Sequence, residues 1–246
     1  MLDSETIKDL SQIAVITFSK DFNDRMQNVN FRYSVANTVY SFRSLYYDTF
    51  IWSKMKYMGI ETMKFPTDLW VTQEIIYDTK PDLLIETGTW TGGSALYYAH
   101  LFDAIGKGEV ITIDNMKKEN LPEHPRIKYI VGDCLSAEVT DKIRESLNGH
   151  SVMVNLDSCH DKPHVLKEME IYSRFVTVGK YMIVEDSLLN HPVKVKDSNK
   201  RIIFPGPMEA IDEFIPKHKE FSIDKTKEKY LLTSNPNGYI VRRSCA

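Results

Sequence analysis

The sequence has few cysteines and no pair of them spaced as a metal-binding or redox motif. Its 246 residues include three cysteines, Cys134, Cys159 and Cys245, which are odd in number and far apart. A disulfide framework needs paired cysteines, and a thiolate zinc site usually needs a C-x-x-C pair, so neither is predicted.

Long apolar runs, basic runs and low-complexity segments are also absent. No stretch approaches the roughly 20 apolar residues that span a bilayer, and the first six residues include two acids where a signal peptide is basic. The formal net charge is -3, whereas nucleic-acid binding draws its affinity from Lys and Arg on phosphates. We therefore expect a cytoplasmic protein that binds neither nucleic acid nor membrane.

The composition is that of an ordinary globular chain, with 42% hydrophobic and 26% charged residues. Residues 1–66 show helical spacing without a strong strand signal, and we predict an N-terminal helical extension there. Its candidate apolar positions are Ile7, Leu10, Ile13, Ala14 and Ile16, and then Val39, Phe42, Leu45 and Tyr46. Residues 67–246 are predicted to form one compact unit.

In that unit, short apolar strands alternate with helices. Thr67 is predicted to cap the first helix, which would run to Asp78. Strands are predicted over 82–86, 109–114, 127–131, 151–157 and 180–185, and helices over 92–105, 135–147, 163–175 and 207–217. This alternation is typical of an α/β fold with a mostly parallel sheet covered on both faces. Strands predicted over 221–224, 230–233 and 239–242 indicate an antiparallel hairpin at the C-terminal edge.

A glycine-rich segment, ETGTWTGGS, follows the first of these strands and opens a helix. It departs from the G-x-G-x-x-G pattern that places a pyrophosphate on a helix N-terminus. S-adenosylmethionine presents an ammonium, a carboxylate, a ribose and a sulfonium instead. We predict that Glu86 takes up the ammonium and that backbone N–H groups over Gly88–Gly92 meet the carboxylate. A tight strand–helix turn without a ligand would also use these glycines, and Trp90 could either face the sulfonium or pack.

Acidic residues end the following strands, and ligands of open parallel sheets bind beyond these carboxyl ends. Asp114 is predicted to accept hydrogen bonds from the ribose hydroxyls, and Asp133, which precedes Cys134, to bond the adenine amino group. The order of a glycine loop and strand-end acids is more specific than either feature alone.

Three more acids, Asp157, Glu185 and Asp186, lie at the ends of the fourth and fifth predicted strands. Carboxylates brought together repel, and a hard divalent ion such as Mg²⁺ relieves that repulsion. His160 is predicted to remove the proton from a substrate hydroxyl. Turn or cap roles for the acids, a loop-holding role for His160 and a transition-metal pair of His160 with His164 are the alternatives.

Together these features resemble the cephalosporin hydroxylase and rhamnosyl O-methyltransferase family, a branch of the class I S-adenosylmethionine-dependent methyltransferases. The resemblance runs from about Trp52 to Arg242. It is carried by Lys64-Phe65-Pro66-Thr67-Asp68 with Gln73, Pro81-Asp82-Leu83-Leu84-Ile85-Glu86-Thr87-Gly88-Thr89 with Gly92-Gly93-Ser94, Asp157-Ser158-x-His160, Val184-Glu185-Asp186, and Asn235-Pro236-x-Gly238-Tyr239.

The resemblance implies a Rossmann-like fold, a cofactor site and a metal site. The cofactor residues it implies are Glu86, Gly88, Gly92, Asp114 and Asp133, and we also predict that Thr89, Ser94 and Cys134 bind the cofactor. It implies Mg²⁺ at Asp157, Glu185 and Asp186, a homo-oligomer, and an acceptor hydroxyl on a sugar or natural product.

From these observations we predict an S-adenosylmethionine-dependent O-methyltransferase, assisted by Mg²⁺, with His160 and Asp157 as catalytic residues. The aromatic residues Tyr40, Phe42, Tyr46, Tyr47 and Trp52 could stack on a sugar ring or simply form a helical core face. A non-catalytic assembly subunit and an NAD-dependent oxidoreductase are the alternatives.

Overall fold

A computed structural model of the chain describes residues 20–190 and 205–245. The apolar positions between Ile7 and Ile16 lie outside these residues, so the helix predicted there is not described. None of the helices within the described ranges combines the length and the apolar character of a membrane span.

The described residues begin with two helices, α1 (Lys20–Met26) and α2 (Val29–Asp48). The Asn28 side chain caps α2 by accepting a hydrogen bond from the Phe31 amide. A 3₁₀ helix (Ile51–Lys54) follows. Two strands of two residues each, β1 (Lys56–Tyr57) and β2 (Ile60–Glu61), then pair in antiparallel fashion. The sequence did not indicate these strands because two residues are too few to show a period.

The main body is an α/β unit built on a seven-stranded sheet. Its strands are β3 (Leu83–Thr87), β4 (Glu109–Asp114), β5 (Ile127–Val131), β6 (Val152–Leu156), β7 (Tyr181–Val184), β8 (Phe221–Ile223) and β9 (Tyr239–Arg242). They are ordered β5-β4-β3-β6-β7-β9-β8. The first five are parallel, and β9 pairs antiparallel with both β7 and β8. The prediction of a Rossmann-like, mostly parallel sheet with an antiparallel C-terminal edge is confirmed.

Helices cover both faces of this sheet. They are α3 (Pro66–Thr79), α4 (Gly93–Ile105), α5 (Ala137–Leu147), α6 (Lys162–Tyr172) and α7 (Pro207–Phe214). Successive residues of β3 point to opposite faces, so Leu84 packs with α3 and α4, while Leu83 and Ile85 pack with α5, α6 and α7. All five residues of β3 are buried, as expected for a strand in the middle of a two-sided core.

Two local predictions are wrong. Thr67 does not cap α3: Phe65 occupies the cap position, because Pro66 takes the first helical turn, where its missing N–H costs nothing. Residues 230–233 form no strand, since their backbone serves other partners. The Leu231 carbonyl accepts from the Arg43 guanidinium and the Leu232 carbonyl from the Thr67 hydroxyl.

The strand order reverses between β3 and β6, because β4 and β5 lie on one side of β3 whereas β6 and β7 lie on the other. Loops leaving the two neighbouring strands diverge at such a point and open a crevice at the carboxyl edge of the sheet. Asp114 ends β4, and the other acids after Glu86 that were predicted to bind cofactor or metal follow β5, β6 and β7, so they lie along this edge.

Candidate functional site

A crevice at the carboxyl edge holds two adjoining cavities of about 310 and 270 Å³. Gly88, Trp90, Asp114 and Ser158 line both of them. We call them the first and the second cavity. The first extends toward the N-terminal helices, and the second toward the loop after β5.

The turn between β3 and α4 forms the floor of the crevice. Gly88 adopts a left-handed φ of 89°, and a Cβ there would lie 2.0 Å from the Asp157 carbonyl oxygen. Glycine is therefore required by the packing of β3 against the end of β6. Thr89 and Ser94 line the first cavity, whereas Gly92, the N-cap of α4, lines neither.

Glu86 is fully buried beneath this turn. Its Oε2 accepts a hydrogen bond from the Thr112 hydroxyl at 2.8 Å, and its Oε1 accepts none within the described residues. Burial raises the pKa of Glu86 to about 7, against the opposing effect of the Lys64 ammonium. Oε1 is thus a buried carboxylate oxygen without a hydrogen bond, although the nearby Ser94 hydroxyl also acts to lower the pKa and Glu86 itself lines neither cavity.

Asp114 ends β4 and faces both cavities. Its carboxylate accepts hydrogen bonds from the Trp90 amide at 3.1 Å and the Met116 amide at 3.0 Å. The Trp90 ring is half exposed, and the Lys118 ammonium lies 5.2 Å from its centre, so in this structure a lysine covers that face.

The loop after β5 borders the second cavity. Asp133 is exposed, and its Oδ1 accepts from the Leu135 amide at 2.9 Å. The Cys134 side chain is buried and lines the same cavity together with His164. The predicted residues of the adenine side thus lie at one end of the crevice.

A carboxylate cluster lies at the other end, on the first cavity. Ligand atoms of Asp157, His160 and Asp186 lie within 4.8 Å of one another. His160 Nε2 is 3.5 Å from Asp186 Oδ2 and 4.0 Å from Asp157 Oδ1. Burial raises the pKa of Asp186 to about 6 with help from Asp157, against the opposing effect of His160.

Glu185, the third predicted metal residue, lies behind this cluster. Its Oε1 is 2.9 Å from the Lys64 ammonium, and its Oε2 accepts from the Asn235 amide at 2.8 Å. The structure therefore brings Asp157 and Asp186 together with His160, and it holds Glu185 among protein partners.

Lys64 is the residue of the site for which the sequence suggested no role. Its side chain is buried between two carboxylates and lies 2.6 Å from Asp157 Oδ2. Burial acts to lower the pKa of Lys64, but Asp157 and Glu185 outweigh it and hold the pKa well above its ordinary value. The only indication in the sequence that Lys64 belongs to the site was its place just before α3, in a segment that also carries Asp68.

The N-terminal helices supply the outer wall of the first cavity, through Arg43, Tyr46, Tyr47 and Trp52. Burial and the nearby Asp186 and Asp157 raise the pKa of the Tyr47 hydroxyl. Tyr40 and Phe42 do not line the cavity, although Phe42 packs edge-on against Phe65.

His160 and His164 do not form the alternative metal pair. His160 precedes α6 and faces the first cavity, whereas His164 lies in the first turn of that helix and faces Cys134 and Glu168. The two imidazoles belong to separate clusters because one lies in the loop and the other on the helix.

The sequence is similar to those of known methyltransferases. A chain described as a rhamnosyl O-methyltransferase of Mycobacterium bovis (strain BCG / Pasteur 1173P2) is 34% identical over 206 residues, covering 80% of this chain and 82% of that protein. A rhamnosyl O-methyltransferase of Mycobacterium leprae (strain TN) is 33% identical over 207 residues, with 80% and 87% covered.

The fold also matches a solved structure of CmcI described with Mg and SAM. The TM-score is 0.57 at 19% sequence identity, and 78% of each chain is covered. The sequence profile described as Rhamnosyl O-methyltransferase/CmcI matches residues 49–243. Because that match spans most of the sequence, the chain belongs to the Rhamnosyl O-methyltransferase/CmcI family.

Proposed function

We propose that this protein transfers the methyl group of S-adenosylmethionine to a hydroxyl of a sugar or a glycosylated small molecule. The observation that carries the proposal is the pair of adjoining cavities, with Gly88 and Asp114 on both and the His160 cluster at one end. The names of the mycobacterial relatives support a sugar hydroxyl as the acceptor.

The crevice fits this cofactor in three respects. Glu86 keeps one buried oxygen for the methionine ammonium. Asp114 lies where the two cavities adjoin and presents a carboxylate for the ribose hydroxyls. Asp133 and Cys134 border the second cavity, which would receive the adenine. Thr89 and Ser94 would border the methionine, while Gly88 and Gly92 shape the turn that brings the backbone close.

The charge of the site fits a divalent ion. Asp157, Glu185 and Asp186 carry three negative charges when ionised, and Lys64 supplies one positive charge. The remaining two negative charges would be balanced by one Mg²⁺. Asp157 and Asp186 face the cavity and would hold the ion. Glu185 is buried behind them and would contribute its negative charge without binding the ion directly. When bound, Mg²⁺ would supply the Lewis acidity that makes a hydroxyl a better nucleophile.

The residues of the first cavity would then prepare the acceptor. Tyr46, Tyr47 and Trp52 present aromatic surface to a sugar ring. His160 Nε2 would take the hydroxyl proton, and Asp186, 3.5 Å away, would stabilise the imidazolium that forms. Orientation and exclusion of water would do the remaining work, because displacement at a sulfonium disperses charge.

We also propose that the protein assembles with copies of itself. Leu45, Phe50 and Ile51 are more than half exposed on the N-terminal helices. Large apolar side chains exposed close together along the chain favour association with another protein surface.

The test is an assay of methyl transfer to simple rhamnosides and glycosylated metabolites. The release of S-adenosylhomocysteine is measured once with Mg²⁺ and once with a chelator. We expect turnover that needs Mg²⁺. Asp157→Asn should lower kcat more than about 100-fold, while the Kd of S-adenosylhomocysteine from isothermal titration stays close to that of the wild type. Asp141→Asn, an exposed aspartate on α5, is the matched control.

Two results would contradict the proposal. Absence of S-adenosylhomocysteine binding would remove the cofactor, and loss of that binding in Asp157→Asn would refute the division between cofactor and metal residues. Cofactor binding without turnover on any acceptor would favour a non-catalytic assembly subunit.

A further inference from the structure

A second cluster of metal-binding side chains lies under the second cavity, apart from the Asp157 cluster. It consists of Cys134 from the loop after β5, and His164 and Glu168 from α6. His164 and Glu168 are four residues apart, so they lie on the same face of the helix. The Ser158 hydroxyl adjoins them, 3.0 Å from His164 Nε2 and 2.8 Å from Glu168 Oε1.

The distances within the cluster fit a tetrahedral ion. Cys134 Sγ lies 3.6 Å from His164 Nε2 and 3.4 Å from Glu168 Oε1, and these two atoms lie 3.8 Å apart. Bonds of about 2.3 Å to sulfur and about 2.0–2.1 Å to nitrogen and oxygen would, at tetrahedral angles, separate the ligands by roughly 3.3–3.6 Å. Each observed distance is within about half an ångström of that range.

Glu168 gives an independent reason for a cation. The side chain is 1% exposed, and its Oε2 has no hydrogen-bond partner within the described residues. Its only ion-pair partner in those residues is His164. Oε1 already accepts from the Ser158 hydroxyl and the Cys134 thiol, so the unpaired oxygen is the costly one. An ion held through both carboxylate oxygens would remove that cost.

We propose that Cys134, His164 and Glu168 bind a zinc ion, with the fourth position toward the Ser158 hydroxyl. A thiolate, an imidazole and a carboxylate are ligands that Zn²⁺ accepts, whereas Mg²⁺ prefers oxygen alone. On binding, the thiol proton leaves to solvent and the thiolate coordinates the ion. The proposal does not depend on the proposed methyl transfer.

The ion would join two parts of the adenine side of the crevice. Cys134 belongs to the loop that carries Asp133, and His164 belongs to the helix that follows His160. Both Cys134 and His164 line the second cavity. Zinc would therefore fix the loop after β5 against α6, beside the site proposed for the adenine.

Cobalt replaces zinc in such sites and reports its ligands by absorption. The full chain, reduced and freed of metal by chelation, is titrated with Co²⁺. We expect one equivalent to produce a thiolate-to-cobalt charge-transfer band and visible bands of tetrahedral intensity, both abolished by Zn²⁺. Cys134→Ser should lose the charge-transfer band. Cys159→Ser, the matched control for a nearby thiol outside the cluster, should keep it, as should Asp157→Asn.

Absence of the charge-transfer band in the wild type, or its survival in Cys134→Ser, would overturn the proposal. Where Cys134→Ser does not fold, as judged by circular dichroism, X-ray absorption of the zinc-loaded wild type decides. One sulfur ligand at about 2.3 Å supports the site, and a shell of nitrogen and oxygen alone overturns it.

Discussion

At the residue scale, the site depends on a lysine placed between two carboxylates. Lys64 is buried, with Asp157 Oδ2 at 2.6 Å and Glu185 Oε1 at 2.9 Å. A buried charge without a partner is costly, and removing one member of a buried ion pair leaves the others in that state. The Lys64 ammonium thus offsets the negative charge of two carboxylates at the edge of the first cavity.

Lys64→Met should therefore lower the free energy of unfolding by about 3 kcal/mol, the cost of breaking a buried ion pair. Urea unfolding monitored by circular dichroism measures it. Mg²⁺ should stabilise the variant more than the wild type, because the carboxylates then lack their ammonium partner. Lys142→Met, which removes an exposed partner of Glu138, is the control. Equal stability of Lys64→Met and the wild type would show that the pair is dispensable.

At the element scale, the turn from β3 to α4 has no room for a side chain at residue 88. The added Cβ of Gly88→Ala would lie 2.0 Å from the Asp157 carbonyl oxygen, and φ is 89°. We expect a loss of more than about 3 kcal/mol in unfolding free energy, since both the left-handed backbone and the contact are unfavourable.

Gly106→Ala is the matched control for that substitution. Gly106 also has a left-handed φ, of 77°, but nothing lies within 4 Å of the added Cβ. It should cost about 1 kcal/mol. Similar losses of unfolding free energy in the two variants, measured by urea unfolding, would mean that the contact with the Asp157 carbonyl does not add to the cost of Gly88→Ala.

A second element-scale contact ties α3 to the segment before β9. Asp68 is buried and accepts hydrogen bonds from the Ser234 amide and hydroxyl, both at 2.8 Å, and from the Tyr239 hydroxyl at 2.9 Å. Burial, with a further effect of Glu185, raises the pKa of Asp68 to about 6. The folded state therefore holds this proton at a pH where the unfolded chain has lost it.

The contribution of Asp68 to stability should be complete below about pH 4 and lost as the pH rises through about 6. Between pH 7 and pH 4, the wild type should gain about 2 kcal/mol in unfolding free energy relative to Asp68→Asn. Tyr239→Phe keeps the titrating carboxyl and should keep the pH dependence. A difference between wild type and Asp68→Asn that does not change with pH would contradict the assignment.

The elements show which features a sequence can predict. The parallel strands were predicted to within one or two residues because buried strands are apolar runs bounded by turn residues. The acids along the crevice were predicted because the carboxyl ends of parallel strands share one edge. Lys64 was missed because its partners lie 93 and 121 residues further on, and such a pairing leaves no local pattern.

Non-local contacts also explain the wrong predictions. Residues 230–233 have strand-like composition, but the carbonyl oxygens of Leu231 and Leu232 bond to Arg43 and Thr67 instead of a neighbouring strand. The close spacing of His164 and Glu168 is visible in the sequence. Cys134, 30 residues before His164, joins them only through the fold.

At the scale of the whole molecule, the N-terminal helices and the α/β body build the first cavity together. Arg43, Tyr46 and Tyr47 come from α2, whereas His160 and Asp186 follow strands of the sheet. A division of the chain at residue 66 therefore cuts through the proposed acceptor site. In the proposed function, the extension would help to select the acceptor and the body would hold the cofactor.

The outer surface of the same helices is where we expect one copy to meet another. Leu45 is 61% exposed and Phe50 is 62% exposed. A carboxylate buried in an apolar interface without a partner is costly, so the double variant Leu45→Glu, Phe50→Glu should dissociate the assembly. Sedimentation should show the wild type at a multiple of 28.5 kDa and the variant at 28.5 kDa.

Val178→Glu, which changes an exposed valine elsewhere on the body, should sediment as the wild type does. A wild type that sediments at 28.5 kDa would refute self-association, and an assembly that survives the double variant would place the interface on another surface.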